Sequence, residues 1–435
     1  MIPTFGLTEE RINSQLAPLA ALTYYLQREQ LLDPLKEVDI KMKKREFSPQ
    51  DKLIQVLVSI LSGCEQLYMV KTRLKPEVML AKTFGWSRFA DQSNLSRILD
   101  KLTQINLQQL RCATNAIWKK NSRAFRHDWR GLLWLDFDLS GLPCSKKAEG
   151  GKKGYFSGKK NVTGRQLARV SAIKYRETIW SEIYAGNRHT ITCLRPAVEA
   201  VESILELTSK NKLNVVWRLD GGSGSDEKIK WLLSKGYQLV AKGYSNRRAY
   251  VLAQKVPRWD QYGESWLGEV EPPSNLGSNV RVLVKRRLYK GKLRHGYYIF
   301  TLKRGSKTEL MRLYELRGGA EIEQFRNDKS GLALEKRRKQ SQDAQLALVL
   351  LTDLAHNLLA DFHHQALSDS PFSDFGPKRI VRDLLSIPGL LTFGDSQLQR
   401  IELWQNHPYA KSMLSCLQRL IETPTGMPAR FSFLR

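Results

Sequence analysis

The hydrophobic and polar positions divide the chain into helical end regions and a central region of mixed strands and helices. Apolar residues recur at helical spacing over residues 8–30 and 49–125, which predicts helices there. Ser48 followed by Pro49 is typical of a helix start, with the serine as the cap and the proline in the first turn. The stretch 91–98 fits either the recognition helix of a helix-turn-helix or an ordinary bundle helix.

From Gly131 the pattern changes to the alternation of a strand that is buried on one face. The positions expected on the buried face are Leu133, Leu135, Phe137 and Leu139, and those on the other face are Trp134, Asp136 and Asp138. The elements predicted next are strands at 167–175 and 178–184, a helix at 195–210, a strand at 214–219, a helix at 226–234 and a strand at 237–241.

After these elements, short strand patterns and turns continue to residue 308, and helical spacing dominates from Glu309 to about residue 420. This order resembles a ribonuclease H-like α/β fold that is interrupted by a β-rich insertion. The predicted regions are a helical region at 1–128, a core at 129–245 and 309–345, the insertion at 246–308, and a helical C-terminal region at 346–435.

The charge of the chain points to a polyanionic partner. Its 435 residues include 70 Lys and Arg against 43 Asp and Glu, a formal net charge of +27, in an otherwise ordinary globular composition. Basic residues cluster at 146–176, 272–308 and 335–339, and the second cluster contains no acidic residue. Such clusters are often only solvated faces, but together they favour surfaces that contact the backbone of double-stranded DNA.

The remaining composition excludes several classes of protein. Five scattered cysteines without a Cys-x-x-Cys pair argue against a disulfide scaffold and a zinc site, and they suit a reducing cytoplasm. The N-terminus lacks the pattern of a signal peptide. The most apolar window, 344–359, is too short to span a bilayer and is broken by Asp353 and His356. A cytoplasmic protein with no membrane partner is expected.

Three carboxylates occupy positions that would lie close together in a ribonuclease H-like sheet. Asp138 is near the end of the first strand, Asp220 follows the fourth, and Glu321 is near the start of the last helix. Carboxylate oxygens are the ligands that Mg²⁺ prefers, and they leave positions for phosphate oxygens. A single Asp at a strand end is usually a turn residue, and Asp136 shares a strand face with Asp138 as an alternative ligand.

The segment from Tyr314 to Lys329 resembles the Tyr-Arg-Glu-Lys signature of bacterial insertion-sequence DDE transposases that carry a β-strand insertion. Tyr314, Arg317 and Glu321 keep the spacing of that family, whereas Lys329 follows Glu321 after seven residues instead of six, which leaves Glu323 as a rival. The segments 134–140 and 218–223 resemble the first and second Asp motifs of the same family.

The resemblance implies a role for each matching position. Asp138, Asp220 and Glu321 would be the catalytic residues and would bind Mg²⁺, or Mn²⁺ as an alternative. The residues that would contact DNA beside the cut are Tyr314, Arg317, Arg326 and Lys329. Trp259 and Trp266, in the insertion, would either hold a flipped base or pack in the core of the insertion.

These implications define the expected function and its rivals. The protein would be bacterial and nucleoid-associated, with a DNA-binding or dimerisation region at 1–128 and a catalytic core at 129–245 and 309–345. A transposase would cleave at the terminal inverted repeats of an insertion sequence and join the 3′-hydroxyl ends to target DNA, as a homodimer on DNA. One rival is a ribonuclease H-like nuclease or resolvase that cuts without joining. The other is a DNA-binding descendant of a transposase that no longer uses the site.

Overall fold

The computed structural model describes the backbone of residues 2–43, 46–156, 159–277, 279–326 and 331–422, with side chains except at 155, 159, 160 and 318–326. The chain forms two compact units. Residues 1–122, 147–149 and 326–435 form one, called here the helical unit, and residues 123–146 and 150–325 form the other, called the sheet unit.

The N-terminal part of the helical unit is mostly helical. Its elements are β1 (Thr4–Thr8), α1 (Ala17–Arg28), α2 (Asp33–Lys36), α3 (Pro49–Leu61), α4 (Val70–Arg73), α5 (Val78–Thr83), α6 (Gln92–Asp100) and α7 (Gln104–Asn121). The predicted start of α3 is confirmed, because the Ser48 hydroxyl accepts from the backbone N–H of Asp51 and the Asp51 carboxylate accepts from that of Ser48. The predicted helix over 8–30 begins only at Ala17, since the residues before it include a strand.

The sheet unit begins with the strands and helices of the predicted core. They are β2 (Leu133–Pro143), β3 (Lys152–Phe156), β4 (Lys159–Ala172), β5 (Glu177–Ala185), α8 (Thr190–Ile204), α9 (Ser209–Lys212), β6 (Val215–Leu219), α10 (Asp226–Ser234) and β7 (Gln238–Lys242). The next elements are α11 (Asn246–Ala253), β8 (Asp260–Tyr262), β9 (Ser265–Val270), β10 (Arg281–Tyr289), β11 (Lys292–Phe300) and α12 (Lys307–Arg326). The region predicted as β-rich therefore opens with a helix, α11, which packs on β10 and β11.

One mixed sheet of ten strands organises this unit. Its order is β3-β4-β2-β6-β7-β11-β10-β9-β8, and β5 pairs with β4 beside this path. Strands β2, β6 and β7 are parallel, whereas β4 and β5 are antiparallel to their neighbours. The inserted strands β8–β11 continue the same sheet through the antiparallel pair β11–β7. The insertion thus extends the core sheet instead of forming a separate layer.

The C-terminal elements complete the helical unit. They are α13 (Gln342–Phe362), α14 (Pro377–Arg379), β12 (Gly389–Gly394), β13 (Gln397–Trp404) and α15 (Ala410–Glu422). Strand β1 pairs in parallel with β13, which pairs antiparallel with β12, so the first and last parts of the chain share a small sheet. Helix α13 is buried along nearly its whole length and packs against α3, α6 and α7.

This burial explains the apolar window at 344–359, which belongs to a core helix. In the part of the chain that the structure describes, no helix combines the length and apolarity needed to cross a membrane.

Candidate active site

Two of the predicted carboxylates lie side by side at one edge of the large sheet. Strands β2 and β6 pair in parallel with Phe137 opposite Leu219, so Asp138 and Asp220 are the next residues on adjacent strands. The Asp138 side chain is 23% exposed, and Asp220 is also half-buried. The register of this parallel pair therefore brings together two acidic residues that are 82 positions apart in the sequence.

The glycine-rich turn after β6 holds the carboxylate of Asp220. The backbone N–H of Ser223 donates to Asp220 Oδ1 at 3.1 Å, which closes an Asx-type turn. A Cβ atom at Gly222 would lie 3.3 Å from both carboxylate oxygens of Asp220 and 3.1 Å from Thr190 Oγ1. At Gly224 it would lie 1.9 Å from the carbonyl oxygen of Lys242, so a side chain there would push the turn off β7.

Asp136 has a different environment from Asp138, although the two are only two residues apart. The Arg218 guanidinium donates to both Asp136 oxygens, from Nε at 2.5 Å and from Nη2 at 2.7 Å. Both side chains are buried, at 3% exposure for Asp136 and 6% for Arg218. Burial raises the pKa of the Asp136 carboxyl above its ordinary value, and the charge of Arg218 opposes that shift. Asp136 is therefore engaged by a buried partner.

Sequence reasoning missed Arg218, although a signal was present. Arg218 is the single charged residue in the buried strand β6, and it faces Asp136 directly in the β2–β6 register. A charged residue at the matching position of two adjacent apolar strands is typical of a buried ion pair. Trp134 covers this pair, with its ring centre 5.4 Å from the guanidinium carbon of Arg218.

Two arginine contacts attach helix α12 to the same strands. Arg218 Nη1 donates to the carbonyl oxygen of Leu313 at 3.2 Å, and Arg317 Nη2 donates to that of Phe137 at 3.2 Å. Arg317 Nη2 also lies 3.6 Å from Asp138 Oδ1, and the side chain of Arg317 is 7% exposed. The face of α12 that contains Arg317 is thereby fixed beside Asp138.

The other predicted residues of this helix are placed only in part. The ring of Tyr314 packs edge-on against Tyr298, with ring centres 4.7 Å apart. Glu321, Glu323 and Arg326 belong to α12, but their side chains lie outside the described residues, and Lys329 lies outside them entirely. Among the described residues, no group of three or more His, Cys, Asp or Glu side chains is arranged to hold a metal ion.

Trp259 and Trp266 enclose an arginine. The guanidinium carbon of Arg286 lies 4.2 Å from the ring centre of Trp259 and 5.3 Å from that of Trp266. Both tryptophans are half-buried. One face of each ring is therefore packed against a cation within the insertion.

The basic clusters do not all lie on the surface. In the first, Arg165 and Arg169 are each 1% exposed, and Arg169 Nε donates to Ser181 Oγ at 3.0 Å. In the third, Arg337 donates to the carbonyl oxygen of Cys64, and Lys339 pairs with Asp100 at 2.6 Å. These four residues stabilise the interior, so the prediction of three DNA-facing clusters is wrong for them.

Comparison with known proteins agrees with this architecture. Residues 181–425, more than half of the chain, match the family described as "Transposase DDE domain group 1". The matched segment includes Asp220 and Glu321 and begins after Asp138. No curated protein matches the chain.

A solved structure is similar over nearly the whole chain. It is described as "Cryo-EM structure of piggyBac transposase synaptic complex with hairpin DNA", and it matches with a TM-score of 0.50 and 13% sequence identity, covering 97% of this chain and 84% of that chain. The similarity confirms the predicted fold class, a ribonuclease H-like core interrupted by a β-rich insertion. By its match to the family over residues 181–425, the chain belongs to the DDE transposases of group 1.

Proposed function

We propose that this protein is a DNA transposase that cleaves at the terminal inverted repeats of an insertion sequence and joins the 3′-hydroxyl ends to target DNA. The observation that carries the proposal is the pair Asp138 and Asp220, adjacent at the edge of a ribonuclease H-like sheet. The family match supports the same activity. The finer assignment, to insertion-sequence transposases with the Tyr-Arg-Glu-Lys signature, rests on the spacing of Tyr314, Arg317 and Glu321.

The third carboxylate is proposed to be Glu321. Residues four apart share one face of an α-helix, so we expect Glu321 to share the face of α12 on which Arg317 lies beside Asp138. Position 323 is two residues further, which turns it to another face of the helix. Glu321 is therefore favoured over its rival Glu323.

The residues of the site suit a divalent cation. Asp138 and Asp220 are half-buried carboxylates of the kind that bind Mg²⁺ or Mn²⁺, whereas Asp136 already has both oxygens engaged by Arg218. When bound, such ions activate the attacking hydroxyl or water and stabilise the leaving oxygen of the phosphodiester. Arg317, beside Asp138, is placed to orient that carboxylate and to donate to a phosphate oxygen.

The remaining roles follow from charge and resemblance. Tyr314, Arg326 and Lys329 are proposed to contact phosphates beside the cut, and Trp259 or Trp266 to hold a flipped base. Double-stranded DNA is the proposed partner, because the chain has a formal charge of +27 and the structurally similar piggyBac transposase was solved with DNA. A homodimer on DNA in the bacterial cytoplasm completes the proposal, with residues 1–128 as its DNA-binding or dimerisation region.

The test uses the DNA that flanks the reading frame. We expect short inverted repeats there, and we expect the purified protein with Mg²⁺ to cut a DNA containing them and to join the released 3′ end to a second DNA. Cutting without a joined product would favour the nuclease. Binding without cutting, in Mg²⁺ and in Mn²⁺, would favour the non-catalytic descendant.

A further inference from the structure

The hairpin formed by β10 and β11 presents two chemically different faces, and its tip extends past the end of β9, whose pairing with β10 stops at Arg287. Its strands are joined at Lys290 and Gly291, whose φ angles of 50° and 73° are those of a tight two-residue turn. The pairs next to the turn are Tyr289 with Lys292, Leu288 with Leu293, and Arg287 with Arg294. Successive pairs point to opposite faces, because side chains alternate along a strand.

One face is cationic and contains an aromatic ring. Arg287 and Arg294 lie directly opposite each other, an arrangement of like charges that destabilises a hairpin by itself. The guanidinium carbons of Arg294 and Arg287 lie 4.2 Å and 5.6 Å from the ring centre of Tyr289, and Lys290 Nζ lies 5.8 Å from it. Within the described chain, no carboxylate forms an ion pair with these three cations.

The other face is apolar at the tip. Leu288 and Leu293 are paired and are 62% and 53% exposed, so the two side chains form one small contiguous apolar patch at the tip. The next pair on this face is Arg286 with His295, and Tyr250 of α11, itself 57% exposed, has its ring centre 5.8 Å from that of His295. The apolar strip at the tip thus continues into an aromatic and cationic cluster.

We propose that the β10–β11 hairpin enters the major groove of double-stranded DNA with Leu288 and Leu293 toward the base edges. The long side chains of Arg287 and Arg294, one on each strand of the opposite face, then reach sideways to the phosphates that flank the groove. A two-stranded ribbon fits this groove, which is about 12 Å wide, and apolar side chains there contact thymine methyl groups. Duplex DNA is favoured over double-stranded RNA, because the major groove of the RNA duplex is too narrow for side chains to read. The inference rests on the proposed function and adds to it a specific DNA-contacting element.

The test compares three double variants of the full chain with the wild type. Arg287→Gln with Arg294→Gln removes the charge, and Leu288→Ala with Leu293→Ala removes the apolar pair. The matched control, Lys210→Gln with Lys230→Gln, removes two exposed charges elsewhere in the sheet unit. Fluorescence anisotropy over a range of salt concentrations measures binding to a DNA duplex, to an RNA duplex of the same sequence and to anionic vesicles, and melting temperatures check folding.

We expect the arginine variant to bind DNA more weakly and to lose about 1.8 from the slope of log affinity against log salt, about 0.9 for each phosphate contact. The leucine variant should bind DNA several-fold more weakly at an unchanged slope, and the control should behave as the wild type. Equal losses on the RNA duplex, losses confined to vesicles, or a control that matches the arginine variant would each overturn the inference.

The two proposals fail in different ways. If the wild type cuts and joins DNA and both hairpin variants bind DNA as the wild type does, only the hairpin inference is wrong. If the wild type does not bind DNA at all, the proposed function fails and the hairpin inference fails with it.

Discussion

Asp136 and Asp138 show how two residues of one strand take different roles. Asp136 is buried and bonded through both oxygens to Arg218, whereas Asp138 is partly exposed beside Asp220. A buried charge that loses its partner is costly, because the remaining charge stays desolvated. Replacing Asp by Asn is therefore expected to lower mainly the stability of the protein at Asp136 and mainly its activity at Asp138.

We expect Asp136→Asn to lower the free energy of unfolding by about 3 to 5 kcal/mol, because it leaves the Arg218 guanidinium buried beside a neutral group. The control, Asp138→Asn, should change the free energy of unfolding by less than about 1 kcal/mol, because Asp138 is nearer to solvent. Urea unfolding followed by tryptophan fluorescence measures both. Equal losses at the two positions would contradict the assignment of the buried ion pair.

Individual residues also show which features of the site can be predicted from the sequence and which cannot. Strand ends are visible in the hydrophobic pattern, so the positions of Asp138 and Asp220 could be predicted. A single charged residue in an apolar strand marks Arg218 as one member of a buried pair. Its pairing with Asp136 depends on the register of two strands whose paired residues are 82 positions apart, which no local pattern specifies. Burial of Arg165, Arg169, Arg337 and Lys339 was missed for the same reason, since charge alone does not say which side chains lie inside.

At the scale of elements, the insertion is attached to the core through close backbone contact. The N–H of Gly243, just after β7, donates to the carbonyl oxygen of Tyr297 in β11 at 2.9 Å. A Cβ atom at Gly243 would lie 1.9 Å from Cζ of the Tyr297 ring. The ring therefore needs a glycine beneath it, at the junction where the inserted strands join the core sheet.

We expect Gly243→Ala to destabilise the protein by about 1 to 3 kcal/mol, because the tyrosine ring or the strand must shift. Gly131→Ala is the matched control, since the nearest atom to a Cβ there is the carbonyl oxygen of Asp128 at 3.7 Å. Thermal unfolding of the two variants measures the difference. Equal melting temperatures would show that the junction tolerates a side chain.

The predicted elements of the core were found where the local pattern of apolar residues marks them. The helix predicted at 226–234 is α10, and the strand predicted at 214–219 is β6. The small sheet of β1, β12 and β13 was missed, because it joins the two ends of the chain, with Thr4 paired to Arg400, and no local pattern specifies such a contact. Helix α11 was missed because prolines and glycines later in the insertion indicated short strands and turns for the whole of residues 246–308.

For the whole molecule, the proposed joining reaction needs two DNA ends. One active site per subunit implies that two subunits act together, and we expect each to bind one end and to cut the other. Cleavage in trans is tested by mixing wild-type subunits with Asp220→Ala subunits that have an altered end-binding specificity. The DNA has one end that matches the wild-type subunit and one end that matches the Asp220→Ala subunit. Cuts should fall at the end bound by the Asp220→Ala subunit, and cuts confined to the wild-type subunit's end would contradict cleavage in trans.

The central claim is that Asp138, Asp220 and Glu321 carry out phosphodiester cleavage and that the rest of the chain binds and positions the DNA. The most direct measurement follows binding and cleavage of one labelled end DNA by the wild type and by Asp138→Asn, Asp220→Asn, Glu321→Gln and Glu323→Gln. We predict that the first three variants bind this DNA as tightly as the wild type without cutting it, and that Glu323→Gln still cuts. Cleavage at the wild-type rate by any of the first three variants would contradict the account. A loss of cleavage that occurs only in Glu323→Gln would also contradict it.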